Sequence, residues 1–218
     1  MESILSFLRS LARNNNREWF EKNKNKYLAA RSVFEEFVTR LCKDLPAIDP
    51  MLAGVDPKKS IFRIYRDVRF SKDKRPYKTN FAAGFSSVGK GLGLPGYYLH
   101  IEPGDKSIVA GGLYMPEAEK LAKVRQEIDY NGEALHKILA DKKFRKWFHG
   151  LWDGDQLKTV PRGYPKDHPD AGFLKMKRFI TEHAFTDDEV KSPRFYKSVV
   201  SAFGVLRPLN QYLMDAIS

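Results

Sequence analysis

The chain reads as an α+β protein in which a small antiparallel β-sheet packs against N-terminal and C-terminal helices. Three observations carry this expectation. Phe20, Tyr27, Phe34 and Leu41 recur every seven positions, which is helical spacing. Between residues 61 and 115 the pattern turns to short apolar and aromatic runs separated by turn residues, which is strand-like. From Pro116 onward the helical spacing returns, so strands in the middle are flanked by helices from both ends.

In order, residues 4–12 form a short helix, and Asn14, Asn15 and Asn16 suit a turn, with Asn16 as cap of the next helix. That helix is expected from Arg17 to Leu41, with Phe37 and Val38 filling its apolar side. The stretch Leu45 to Pro57, with three prolines and a glycine, leads out of the N-terminal helical part, residues 1–45. Strands are expected at 61–65, 79–86, 97–102 and 107–114, with Glu102, Pro103, Gly104 and Asp105 making a tight hairpin between the last two. Residues 116–218 are mainly helical: Pro116 suits an early helical position, and Leu121, Val124 and Ile128, then Leu135, Ile138 and Leu139, share a side. Residues 152–169 read as loop. The last helix carries the stripe Phe195, Val199, Phe203 and Leu206, with an interruption or kink near Pro208.

At 218 residues, 42% hydrophobic and 30% charged, the chain can bury one good core, and a single domain over 1–218 is expected. One cysteine, Cys42, excludes an intrachain disulfide and a thiolate metal cluster, and is expected to pack within a helix. The opening residues lack the pattern of a secretory leader, and no run approaches the ~18 apolar residues of a membrane span, so no membrane partner and a cytoplasmic location are expected. The formal charge of +11 favours an acidic partner.

Nearly half of that charge sits in one stretch. Residues 63–78 read RIYRDVRFSKDKRPYK, seven cations against two carboxylates. Guanidinium groups at this density suit carboxylate or phosphate oxygens. Arg63, Arg66 and Arg69 fall every third residue, a spacing that a regular strand splits between two faces. A bend after Tyr65 is therefore expected, with Phe62 and Ile64 inward, Arg63 and Tyr65 outward, and Arg66 and Arg69 converging with Arg63 on one ligand while Asp67 braces one of them. Asp73 is expected to close an Asx turn that presents Lys72 and Lys74, and Pro76 to hold Arg75 extended. The expected ligand-binding set is Arg63, Arg66, Arg69, Lys74, Tyr77 and Lys78. The competing reading is a structural network in which Asp67, Asp73 and Glu102 neutralise the arginines.

On the strand GYYLHIE, Tyr98, His100 and Glu102 share one face. The neighbouring segment offers Asn80, Ala82, Gly84 and Ser86 on the side of His100, small enough to leave room for a ligand. His100, Glu102 and Asp67 are the catalytic candidates, His100 as a general acid beside a bound phosphate. His100 and Glu102 alone are too few for a metal centre, and Asp67 as a third ligand sits among arginines that repel a divalent cation unless an anionic substrate comes with it, so no metal or cofactor is expected. Gly111 and Gly112 permit close approach either of a ligand or of a packed element. Gly91, Gly93 and Gly96 match a G-x-G-x-x-G spacing, but Pro95 and a strand follow where a dinucleotide site needs a helix, so a hairpin loop with Lys90 at its tip is expected. Asp167, His168 and Arg162, and the basic cluster Lys175, Lys177 and Arg178, are expected to be solvated surface, and His183 structural or exposed. Trp19, Trp147 and Trp152 fit helix packing.

The run FRIYRDVRFSKDKRPYKTNFAAGF, followed by PGYYLHIEPGD and GGLYMP, closely resembles the bacterial family known as domain of unknown function 2461. The likeness extends from the opening NNNREWFEKNK to the later PRGYPKDHPD. Its signature residues stand here as Arg63, Arg66, Asp67, Arg69, Phe70, Asp73, Lys74 and Tyr77. The resemblance implies a single domain of about this size and no particular activity or substrate. From the residues themselves, the leading expectation is a binder of a phosphorylated or otherwise anionic small ligand or nucleotide, with phosphate-ester chemistry open. The alternatives are a nucleic-acid-binding module and a structural protein with an internally neutralised arginine cluster.

Overall fold

A computed structural model of the chain describes residues 1–87 and 93–218. The expected Lys90 hairpin tip and Gly91 lie outside these residues. The protein is α+β: four antiparallel strands, β1 (Phe81–Phe85), β2 (Gly96–Ile101), β3 (Ser107–Leu113) and β4 (Phe179–Phe185), lie in the order β1-β2-β3-β4. The N-terminal helices are α1 (Glu2–Arg13), α2 (Arg17–Lys22), α3 (Lys24–Ile48) and the single turn α4 (Pro57–Ser60). After β3 come α5 (Ala118–Ala140), α6 (Lys142–Phe148) and α7 (Ala171–Leu174), and after β4 come α8 (Asp187–Lys191) and α9 (Phe195–Ile217). Among the described residues no helix is long and apolar enough to cross a membrane.

Asn16 caps α2 as expected, its side chain accepting from the Trp19 N–H. The expected helix from Arg17 to Leu41 is, however, broken at Asn23. The Asn23 amide donates to the Trp19 carbonyl, a local bond that competes with the helical ladder. Beyond Leu41, α3 continues to Ile48 through Pro46, which sits in the last turn where its missing N–H forfeits a single bond. Helix α9 likewise runs through Pro208. Residues 61–65 do not join the sheet as a strand; they form isolated antiparallel bridges, Ile61 with Ala83 and Tyr65 with Tyr77. Strand β4 was not expected from the sequence.

The chain divides into two compact units. The first takes Met1–Lys90, Tyr98–Val109 and Ala184–Val200, and the second Gly91–Tyr97, Ala110–His183 and Ser201–Ser218. In the first, α1, α2 and α3 bury an aromatic cluster against β1: Phe7 stacks on Phe81 at 6.3 Å, and Phe34 on Phe81 at 5.5 Å. Burial of each such ring contributes about 1.5–3 kcal/mol, so the apolar faces of these helices drive their docking. Phe37 stacks on Phe195 of α9, and the Tyr196 hydroxyl donates to Asp44 at 2.6 Å.

In the second unit α9 packs on the sheet through Tyr97 and Phe203, 5.1 Å apart. The two glycines of β3 serve this packing. A β-carbon on Gly111 would lie 2.8 Å from Leu206, and one on Gly112, whose φ is +113°, 2.0 Å from the Phe179 carbonyl oxygen. Close approach of protein elements therefore accounts for both.

Candidate functional site

The arginine-rich motif is a two-stranded ladder running up to a tip. Phe62 N–H donates to Ala82 O, Lys78 N–H to Ile64 O and Arg66 N–H to Pro76 O, at 2.8–2.9 Å. Between the first two pairings one strand has a single residue, Arg63, and the other has three, Thr79, Asn80 and Phe81. Two extra residues on one side make a bulge, and bulges re-aim side chains. The base of the ladder is held from below by α2, where Phe20 stacks on Tyr77 at 4.0 Å. Asn15 completes the support: its amide donates to Tyr77 O at 2.9 Å and accepts from Tyr77 N–H at 3.1 Å, standing where a neighbouring strand would pair.

The bulge turns Thr79 and Asn80 onto β2. Thr79 Oγ1 donates to Glu102 Oε1 at 2.7 Å, and the Asn80 amide lies 2.7 Å from His100 Nδ1. His100 Nε2 is 2.8 Å from Glu102 Oε2, and the Tyr98 hydroxyl is 3.1 Å from Nδ1. Both ring nitrogens are thus held in a half-buried cluster. Tyr98 also meets the Phe62 ring edge-on at 6.1 Å, and the Lys78 ammonium lies 5.5 Å from the centre of that same ring. Phe62 therefore bridges the Lys78 ammonium on one side and Tyr98 of the histidine cluster on the other.

At the tip the carboxylates are claimed by near neighbours. Asp67 accepts from the Arg69 guanidinium at 2.7 Å and from the Arg69 N–H, and Asp73 accepts in the same way from Arg75. Arg66 reaches across to Asp73 at 2.6 Å, and Lys74 donates to the Val68 carbonyl at 3.1 Å. The bonds from Arg69, its side chain and then its N–H, hold Asp67 below the usual carboxylate range, aided by the charge of Arg63. Arg75, again by side chain and N–H, and then Arg66 hold Asp73 well below it. Asp73 closes the expected Asx turn.

The expected site is only partly gathered. Alternation along the ladder places Arg63 on the face opposite Arg66, because pairing persists through Arg66 and the bend comes later. Arg63 is exposed, Arg66 and Arg69 each turn to an aspartate, and Tyr77 is buried beneath the ladder. His100 and Glu102 do stand together, and Lys78 lies over the Phe62 ring that meets Tyr98. Ile64 is buried and Arg63 and Tyr65 are outward as expected, whereas Phe62 is half-buried on the open face. Asn15 and Thr79 were missed, and in the bulge the only sequence signal was a pair of polar residues ahead of β1. Among the described residues no three His, Cys, Asp or Glu side chains are grouped to hold a metal ion.

The second unit contains other polar clusters. His168 is a half-buried clamp that binds Asp129 at 3.0 Å and accepts from the Asp170 N–H. Beside it Asp129, Tyr130, Arg162 and Tyr164 line a cleft of about 440 Å³. Arg178 is bound to Asp155 and lies 5.1 Å from the rings of both Tyr114 and Trp152, so Trp152 stacks on a cation in a loop and not within a helix. His183 bonds to the Trp147 carbonyl.

The fold and the site define an α+β protein with a cationic, aspartate-laced ladder leading into a histidine–glutamate cluster on its sheet. The chain belongs to the family described as conserved hypothetical protein (DUF2461), whose model matches residues 3–212. No curated protein and no solved structure matches it.

Proposed function

We infer that this chain binds a small phosphate-bearing ligand on the face carrying Lys78, Asn80, Tyr98, His100 and Glu102. The observation that carries this reading is the bulge at Thr79–Phe81, which aims two polar side chains at Glu102 and His100 where a regular strand would have continued. A half-buried polar network is costly unless every member is satisfied, and it contributes less to folding than apolar packing of the same volume. Retaining one beside the Phe62 ring, over which the Lys78 ammonium lies, suits recognition of an anion, with Asn80 and Thr79 as oxygen-binding partners. The tip arginines, engaged with Asp67 and Asp73, are left out of this ligand set. A bacterial, cytoplasmic setting belongs to the same proposal, and a single cysteine buried in α3 suits a reducing compartment.

The test is thermal stability against inorganic phosphate, ribose 5-phosphate and adenosine phosphates, each beside its unphosphorylated parent. A ligand at 100 times its Kd adds roughly 2.7 kcal/mol when it binds only the folded state. The expected result is a rise in Tm with one phosphorylated compound and none with its parent, abolished in Lys78→Met, which keeps an apolar stem over Phe62. The absence of a shift with every phosphorylated compound would sink the reading.

A further inference from the structure

The hairpin tip is built around an aromatic ring that the fold does not use. Phe70 is 95% exposed, more than any other large hydrophobic side chain among the described residues. It therefore gains nothing from burial. Around it residues 66–75 hold five cations, Arg66, Arg69, Lys72, Lys74 and Arg75, against only Asp67 and Asp73. The Arg69 guanidinium is 5.8 Å from the centre of the Phe70 ring, and Arg69 is itself 76% exposed.

The tip is also organised in advance. DVR and DKR, residues 67–69 and 73–75, fold alike, each aspartate binding both the N–H and the guanidinium of the arginine two residues on. Arg66 to Asp73 and Lys74 to the Val68 carbonyl tie the two arms together. A loop already ordered loses less entropy on binding. The aspartates neutralise part of the charge and fix where the guanidinium planes point, while leaving donors on Arg69 and Arg75 facing solvent.

We propose that this tip binds single-stranded nucleic acid, with Phe70 stacking on a base and Arg69, Lys72 and Arg75 contacting the adjoining phosphates. A flat aromatic face among cations is the pairing such strands require, because every base offers a π-face and every nucleotide a charge. A duplex keeps its bases stacked on one another and withholds that face. A membrane surface fits poorly, since Phe70 is the one exposed large apolar side chain among these ten residues. The inference is independent of the ligand at His100, which uses other side chains.

Fluorescence anisotropy with a labelled oligothymidylate of about 15 nucleotides, its RNA counterpart and a duplex tests this. The single strands should bind more tightly than the duplex. Phe70→Ala should weaken them roughly 5- to 150-fold, the loss expected for one base–aromatic stack, and Phe70→Trp should restore binding. Lys72→Gln should lower the slope of log affinity against log salt by about 0.7, whereas Phe70→Ala leaves that slope unchanged. Lys137→Gln, which removes an exposed cation of α5, should bind as the parent does, so that loss of one charge is not by itself the cause. The proposal is overturned if single strands fail to bind at about 50 mM salt. It is equally overturned if Phe70→Ala binds like the parent, if the duplex competes equally, or if Phe70 matters only for binding phosphatidylserine vesicles.

Discussion

The tip of the hairpin and its base are both dense in polar contacts, yet they are wired differently. At the tip, partners lie between two and nine residues apart in sequence and the groups are mostly exposed. At the base, Asn15 meets Tyr77 across 62 residues, Thr79 meets Glu102 across 23 and Asn80 meets His100 across 20, all half-buried. Local contacts shape a loop without holding the fold, because they cost little entropy to make and are screened by salt. Long-range contacts in a drier setting hold elements together, because breaking one leaves a buried group unpaired.

The comparison is sharpened most by Asn15→Ala. It strips both backbone partners from the buried Tyr77, and calorimetry should show a loss of about 1–3 kcal/mol. A Tm unchanged from the parent would mean that water replaces the amide and that the base is not held from α2.

A second long-range hub should show a smaller effect with a distinct pH signature. Burial by itself would raise the Asp187 carboxyl, but the Arg9 guanidinium at 2.7 Å and the N–H groups of Gly104 and Asp105 outweigh it and hold the group below the usual range. A carboxyl depressed on folding contributes stability that is fully present above its unfolded value near 3.9 and is lost as pH falls through the folded value. Asp187→Asn should therefore cost about 1 kcal/mol at neutral pH, and its Tm should fall less steeply than the parent's as pH drops below about 4. Parallel curves for the two proteins down to pH ~2 would show that Asp187 is not coupled to folding.

The smallest expected effect is at the tip. Asp73→Asn should leave the Tm at physiological salt close to that of the parent while speeding hydrogen exchange at the Arg75 amide. A melting loss as large as that of Asn15→Ala would erase the distinction between the two regions.

Much of this arrangement was legible in the residues themselves. Asn16 announced the start of α2, Gly104 and Asp105 the β2–β3 hairpin, where both adopt positive φ, and the alternation of Tyr98, His100 and Glu102 their common face. These are signals of short range, governed by backbone sterics and by side chains two to four residues apart.

Other features depended on neighbours that the local pattern does not name. Strand β4 alternates Phe179, Thr181 and Phe185 inward, but it lies at the end of the sheet with Glu182 and Ala184 exposed and follows a basic cluster, so its pairing was visible only once β3 was in place. The break at Asn23 turned on one amide choosing the Trp19 carbonyl. The arginines made the same point most plainly. Composition and spacing alone determined an α+β chain with a cationic stretch between residues 63 and 78. Which cations remain available was decided by tertiary structure: the ladder continues one pair beyond Tyr65, which sends Arg63 to the opposite face from Arg66, and the two-residue bulge, set by pairing across the sheet, delivers Thr79 and Asn80 to His100 and Glu102. Register is a property of two segments at once, and no single segment encodes it.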